Sequence, residues 1–382
     1  MALLIGMDEA GYGPNLGPLV VAATAWEVAA EDSRDREQGA GNSSPQSLHY
    51  EMLSSTVRSN LATSAVPSSR HNKSQWHSDT DFYRRLRQVV AKSPSERRIA
   101  IADSKMLYKP GSGLRQLERG IHAVLSSTKQ TSACWSTIVE SCGADPDQVH
   151  RRLPWHDRFN CPLPVDATDD ELTKLCAKLA RVCTNSNLRP IAIRARLVFP
   201  AEFNELVEYH GTKGAALSNV TIGLLREVMD SLHGDSALAP ESNLPSESPA
   251  PNHQPPIYVL CDKHGGRNFY GGLLQHHFSE HWIEPLFESR DESNYAWGPE
   301  NCRVQVTFRT RGEAFLPTAL ASMMAKYLRE LSMRAFNEFW CARLPGLRPT
   351  AGYPSDAPRF KRAIAPVQHE LGIDDHLLWR IR

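Results

Sequence analysis

The stretch Leu3-Leu4-Ile5-Gly6-Met7-Asp8-Glu9-Ala10-Gly11-Tyr12-Gly13-Pro14-Asn15-Leu16-Gly17-Pro18 decides how the rest of the chain is read. An apolar run suited to a buried strand delivers two adjacent carboxylates into a glycine-rich turn. Burying like charges side by side is unfavourable unless something positive neutralises them, and a divalent cation is the most compact partner. Neighbouring side chains on a strand point to opposite faces, so both acids reach one metal cluster only if the strand ends there and the backbone swings round. Gly11 and Gly13 supply that freedom and let main-chain N–H groups come close to a ligand. By itself, an Asp-Glu-x-Gly tetrapeptide reads more simply as a solvated turn after an edge strand.

Working outward, Pro18 to Trp26 is a second apolar run, and a hairpin is the simplest way to join it to the first. From about Glu31 to His77 the chain is rich in Ser, Asn, Arg and Gln, the composition of an insertion or surface loop. Order returns at Arg98-Ile99-Ala100-Ile101-Ala102, which leads into Asp103-Ser104-Lys105-Met106-Leu107 and a helical pattern from Leu114 to Leu125. Residues 126 to 189 are harder to place, apart from an amphipathic helix over Asp169 to Val182. A third strand is predicted at Ile191 to Val198, then helices over Ala201 to Tyr209 and Ala215 to Leu232. The segment Gly234 to Pro256, rich in Pro, Ser and Asn, has the composition of a tether. Beyond it, Ile257 to Cys261 reads as a fourth strand ending on Asp262, and Arg303 to Phe308 as a fifth leading to Glu313. The longest helix follows, with Leu320, Met324, Tyr327, Leu331, Ala335 and Phe339 at three- to four-residue steps.

The 382 residues carry 43 basic and 43 acidic side chains, so net charge supplies no argument for a nucleic-acid partner. Residues 301 to 382 are more basic, with 13 Lys and Arg against 7 Asp and Glu. The eight cysteines form no Cys-x-x-Cys pair or zinc-ribbon spacing and read as reduced thiols. Neither a secretory leader nor a run long enough to span a membrane is present, which points to a cytoplasmic protein without a membrane partner.

Three carboxylate stations share one context: Asp8 and Glu9 after strand one, Asp262 after strand four, and Glu313 between strand five and the long helix. Sites in such sheets lie at strand ends. Four acids gathered there would bind two Mg²⁺ or Mn²⁺ ions about 4 Å apart, the spacing of two-metal phosphodiester chemistry. Separately, Asp262 reads as a loop acid and Glu313 as a helix N-terminal charge.

In order along the chain, Asp8-Glu9-Ala10-Gly11-x-Gly13 with Gly17 to Ala23, Asp103-Ser104-Lys105-x-Leu107, Val259-Leu260-Cys261-Asp262, Gly312-Glu313-Ala314 with Ala319 to Lys326 and Arg329, and Gly352-Tyr353-Pro354 resemble the motifs of the type 2 ribonuclease H (ribonuclease HII) family. The matches account for roughly half of the chain and leave the insertions near 31–77, 126–189 and 234–256 uncovered. The resemblance implies an α/β, RNase H-like fold: a five-stranded mixed sheet flanked by helices, in a catalytic domain over residues 1–362 with a C-terminal tail over 363–382. It implies an endonuclease, expected to be monomeric, that cuts RNA paired to DNA and leaves 5′-phosphate and 3′-hydroxyl ends. Its partner would be an RNA/DNA hybrid or a ribonucleotide-containing duplex, and its cofactors two divalent cations held by Asp8, Glu9, Asp262 and Glu313.

The same resemblance gives the ribose 2′-hydroxyl to Gly11, Tyr12 and Gly13, backbone phosphates to Ser104 and Lys105, and the deoxyribose beside the junction to Tyr353. Three positions depart from the family pattern. Tyr12 stands where Arg is usual, Glu313 where Asp is usual, and Ala351 where Lys is usual. Lys263, His264 and Arg267 crowd behind Asp262, and Lys263 and Arg267 are expected to help hold the substrate backbone or leaving phosphate. Two other readings remain: a nucleic-acid-binding protein on the same scaffold with weakened catalysis, and a relative acting on branched DNA.

Overall fold

The computed structural model describes residues 1–29, 79–144, 153–236 and 255–381. In chain order the strands are β1 (Ala2–Ala10), β2 (Leu19–Val28), the two-residue β3 (Val90–Ala91) and β4 (Ile99–Ala100), β5 (Leu188–Val198), β6 (Ile257–Asp262), β7 (Glu284–Glu288), β8 (Glu292–Trp297) and β9 (Val304–Arg309). The α-helices are α1 (Asp79–Arg85), α2 (Ser104–Leu107), α3 (Arg115–Ser127), α4 (Trp135–Ser141), α5 (Asp169–Asn185), α6 (Pro200–His210), α7 (Lys213–Ser236), α8 (Gly271–His277), α9 (Leu316–Arg343), α10 (Ala357–Glu370) and α11 (Asp375–Leu378).

Seven strands form one mixed sheet in the order β5-β2-β1-β6-β9-β8-β7. The first two make the expected antiparallel hairpin, β1 runs parallel to β6, and β6 runs parallel to β9. All five strands read from the sequence are therefore in the sheet, with helices on both faces. The expected count of five is corrected to seven, because the connection after Asp262 folds into the β7–β8 hairpin and extends the β9 edge. Strand β7 carries no buried residue and contains Pro285, so it lacks the alternation by which a strand is recognised. The Arg98–Ala102 run does contain a strand, but β4 pairs only with β3, outside the main sheet.

Alternation along β1 separates two cores. Ile5 and Met7 pack with Val21, Ala23, Val259, Cys261 and the α7 residues Leu217, Leu225 and Val228. Gly6 faces the other way, and α9 lies directly on it. A Cβ at Gly6 would stand 2.1 Å from the Thr318 nitrogen and 2.2 Å from the Pro317 carbonyl carbon. The first turn of α9 is tied to the sheet at two further points. Thr24 Oγ1 donates to the Pro317 carbonyl at 2.8 Å, and Thr318 Oγ1 donates to the Leu260 carbonyl at 3.0 Å.

The described parts of 126–189 are packed against this framework. Glu118 of α3, fully buried, accepts from the main-chain N–H groups of Val165, Asp166 and Ala167 and from the Tyr327 hydroxyl of α9. The expected boundary at 362 falls inside α10, so residues 363–382 do not begin as a separate tail. The 31–77 insertion lies outside the described residues, as does most of 234–256.

The contact at Gly6 is with backbone, which has no rotamer in which to retreat. Gly6→Ala should cost about 3 kcal/mol or more of unfolding free energy, measured by urea denaturation, in the upper range for overpacked cores. A loss under about 1 kcal/mol would show that α9 does not press on β1 in this way.

Candidate metal centre and substrate loop

Asp8 and Asp262 come together because their strands are parallel neighbours. Met7 is in register with Cys261, so the next residue on each strand is a carboxylate, and both share the α9 face. Asp262 Oδ1 accepts the Gly312 N–H at 2.9 Å, which ties it to the short 3₁₀ turn Gly312–Ala314 carrying Glu313. In the second turn of α9, Ser322 lies close enough to Asp8 to favour its ionised form, and its Oγ lies 3.1 Å from Ser104 Oγ on α2. Ser104 does not cap α2. Asp103 does, accepting from the Lys105 N–H at 2.9 Å. Lys105 extends from that turn with its side chain 84 % exposed, and its Nζ stands 4.0 Å from Glu313 Oε1.

The sequence reading required β1 to end at the acids. Instead, its regular pairing with β2 continues through Glu9↔Val21 and Ala10↔Val20, while pairing with β6 stops at Met7. The turn starts at Gly11. Glu9 thus follows Met7 on the strand, yet it is close enough to Asp262, Glu313 and Lys105 for each to act on its charge.

All four carboxyls are held above their ordinary range, chiefly by burial. For Asp8 the charges of Glu9, Asp262 and Glu313 add to burial, and Ser322 opposes them. Burial, then Asp262, push Glu9 up to about 7. Lys105 gives partial relief to Glu9, Asp262 and Glu313. Four oxygen-donor groups that destabilise one another suit a hard cation in chemical type. They are not gathered into a ready cage: among the described residues, no three His, Cys, Asp or Glu side chains are grouped to hold a metal ion.

The Gly11–Gly13 turn borders the cluster. Gly11 has φ +87° and no room for a side chain, since a Cβ would lie 2.4 Å from the Pro18 carbonyl oxygen and 2.8 Å from Arg329 Cδ. Gly13 faces open space. Tyr12 turns back on the protein, packing against the β1–α7 core with its hydroxyl beside Gly214 and Gly265. Tyr353 is 44 % exposed, with the Arg329 guanidinium 5.8 Å from its ring centre.

Lys263 corrects the sequence reading. Its ammonium is buried and donates to Ser289 O at 2.6 Å, Ser293 Oγ at 3.1 Å and Asn268 Oδ1 at 3.2 Å, pinning the β7–β8 hairpin. An ammonium committed to three internal acceptors is not free to hold a substrate phosphate. His264 is also internal, packed on Tyr270 and Phe308 with Nδ1 3.0 Å from Ser218 Oγ, and burial pushes it down to about 3. Arg267 lies over Tyr270 and makes a long contact with the Phe269 carbonyl in its own loop.

Sequence reasoning missed two supports. Ser322 was visible only as one small residue in a helix motif, and Arg380 stood in the presumed tail. Arg380 is 2 % exposed and binds the carbonyls of Gly11 and Pro14. No sequence signal links it to a loop near the other end of the chain.

No family model and no curated protein matches this chain. Among solved structures it is similar to the PCNA:RNase HII complex from Archaeoglobus fulgidus, at 14 % identity and TM-score 0.35, over 100 % of this chain and 94 % of that one. It is similar to ribonuclease H2 from Pyrococcus horikoshii OT3 at 13 % identity and TM-score 0.36, over 98 % and 92 %. A third, Bst-RNase HIII in complex with Mn²⁺, gives 12 % identity and TM-score 0.35, over 100 % and 66 %.

The raised carboxyls make stability depend on pH and on cations. A group whose folded pKa exceeds its unfolded one stabilises the fold below the unfolded value, about 4.3 for Glu, and loses that contribution as pH rises through the folded value, about 7 for Glu9. In EDTA the melting temperature should therefore fall between pH 5 and pH 8, and Mn²⁺ should restore it at pH 8. A melting temperature at pH 8 that ignores Mn²⁺ would argue against a cation among these acids.

Proposed function

We propose that this protein is a metal-dependent endoribonuclease that hydrolyses the RNA strand of RNA/DNA hybrids and leaves 5′-phosphate and 3′-hydroxyl ends. The observation that carries the reading is the side-by-side placement of Asp8 and Asp262 where the parallel pairing of β1 and β6 ends, with Glu9 and Glu313 within electrostatic reach. Two Mg²⁺ or Mn²⁺ ions would be held by these four residues. Bound there, such ions lower the pKa of a water and neutralise charge on the leaving oxygen.

The chain's own groups supply the rest. Ser322 keeps Asp8 oriented and favours its ionised form. Lys105, exposed and beside Glu313, is the cation placed to hold a backbone phosphate, a role that Lys263 cannot take. The open face of Gly13 leaves room for a ribose, whose 2′-hydroxyl separates RNA from DNA. Tyr353 offers an exposed ring for the adjoining sugar.

A second reading, a nucleic-acid-binding protein on the same scaffold, draws on the absence of a ready metal cage among the described residues and on Tyr12 being packed inward. Labelled substrates separate the two: a continuous hybrid, a duplex with one ribonucleotide, and all-DNA, each with Mg²⁺ or Mn²⁺. The nuclease reading expects hybrid cleavage that falls on the order of a hundredfold or more in Asp262→Asn and roughly 10- to 100-fold in Ser322→Ala. Tight binding without cleavage favours the binding protein. Cleavage unchanged in Asp262→Asn would refute this site.

A further inference from the structure

We propose that Arg380 is a positioning residue for the Gly11–Gly13 loop, fixing it so that its main-chain N–H groups face the RNA strand; this rests on the ribonuclease reading above. The segment after α11 docks beside the loop, where Leu378 already packs with Leu16. Trp379 bridges to Leu16, and the Arg380 N–H donates to the Asn15 carbonyl at 3.0 Å. Asn204 of α6, itself buried, holds the same segment from the far side. Its Nδ2 donates to the Trp379 carbonyl and its Oδ1 accepts from the Ile381 N–H, both at 2.8 Å.

So anchored, the guanidinium is directed into the underside of the loop. Arg380 Nε donates to the Pro14 carbonyl at 3.0 Å, while Nη2 reaches the carbonyls of Gly11 and Pro14, with Tyr12 O at 3.5 Å. The Phe203 ring lies 4.5 Å from the guanidinium carbon. Among the described residues no carboxylate pairs with Arg380, the charge of Arg329 opposes its own, and its buried Nη1 has no hydrogen-bond partner. A buried cation balanced by carbonyl dipoles and one ring face, with one donor unmet, is costly to a fold.

The loop shows what this arrangement achieves. Carbonyls of Gly11, Tyr12, Pro14 and Asn15 are all engaged from below by Arg380. Among the described residues the N–H groups of Tyr12 and Gly13 have no partner in the protein, and Gly13 borders open space. Successive free N–H groups with a positive charge behind them form a cradle for an oxygen acceptor. The 2′-hydroxyl is such an acceptor, and it is present only on the RNA strand. Because Tyr12 brings no charge to this turn, the positive charge comes from beneath it, from Arg380 on the carbonyls and from Arg329, packed against Gly11.

The test compares binding and cleavage of a continuous hybrid and an all-DNA duplex by the full chain carrying Arg380→Met, Arg380→Lys or Asn204→Ala. Melting curves confirm folding. Arg380→Met is expected to reduce the preference for hybrid over DNA roughly tenfold, mainly through KM, with a smaller change in kcat. Arg380→Lys should recover part of the preference, because it keeps the charge but loses the planar fork. Asn204→Ala loosens the strap without removing the guanidinium and should lower the preference less; it carries the test if Arg380→Met does not fold. A folded Arg380→Met, or failing that Asn204→Ala, with the wild-type preference intact overturns this inference and leaves the ribonuclease reading standing. A wild-type protein with no preference for hybrid overturns both.

Discussion

The close approach of α9 to β1 at Gly6 is the contact on which the rest of the structure depends. With no side chain at Gly6, the first turn of the helix sits on the strand backbone, and Thr24 and Thr318 lock that turn to β2 and β6. The spacing of the centre follows. Asp8 is two residues beyond Gly6 on the strand, Ser322 one turn beyond Thr318 on the helix, and Glu313 in the turn just before it. A larger residue at position 6 would lift the helix and separate Ser322 from Asp8, whatever happened to the acids themselves.

That framework explains how the chain tolerates unfavourable charges near its middle. Glu118, fully buried, is balanced by three main-chain N–H groups and a tyrosine hydroxyl. Lys263 is balanced by three oxygen acceptors. Each is a charge solvated by protein dipoles in place of water. The four acids differ, because around them other carboxylates outnumber the cations and Lys105 is largely in solvent. The contrast between satisfied and unsatisfied charges sets this centre apart from the other buried ionic groups.

Much of the fold was legible because its signals are local. The apolar runs of β1, β2, β5, β6 and β9 and the three- to four-residue steps of α9 record which face of each element is buried. Strands β7 and β8 were not legible, since an edge strand with no buried face has no reason to alternate. The acids could be read as stations at strand ends, but not the continuation of β1 past Glu9, which depends on β2 remaining paired there.

The sequence alone determined the mixed α/β class, the hairpin that opens the chain, and the association of Asp8 and Glu9 with β1, of Asp262 with β6 and of Glu313 with the turn after β9. Only the tertiary structure decided which cations lie beside the four acids. Lys105 and Lys263 are equivalent on paper, each one or two residues past an aspartate. The first emerges from a short helix into solvent beside Glu313, and the second is buried under a hairpin invisible in the sequence. Arg380 meets Pro14 across a sequence separation of 366 residues. Periodicity reports which side chains leave water, but what they meet there is set by contacts between distant parts of the chain, which no local pattern encodes.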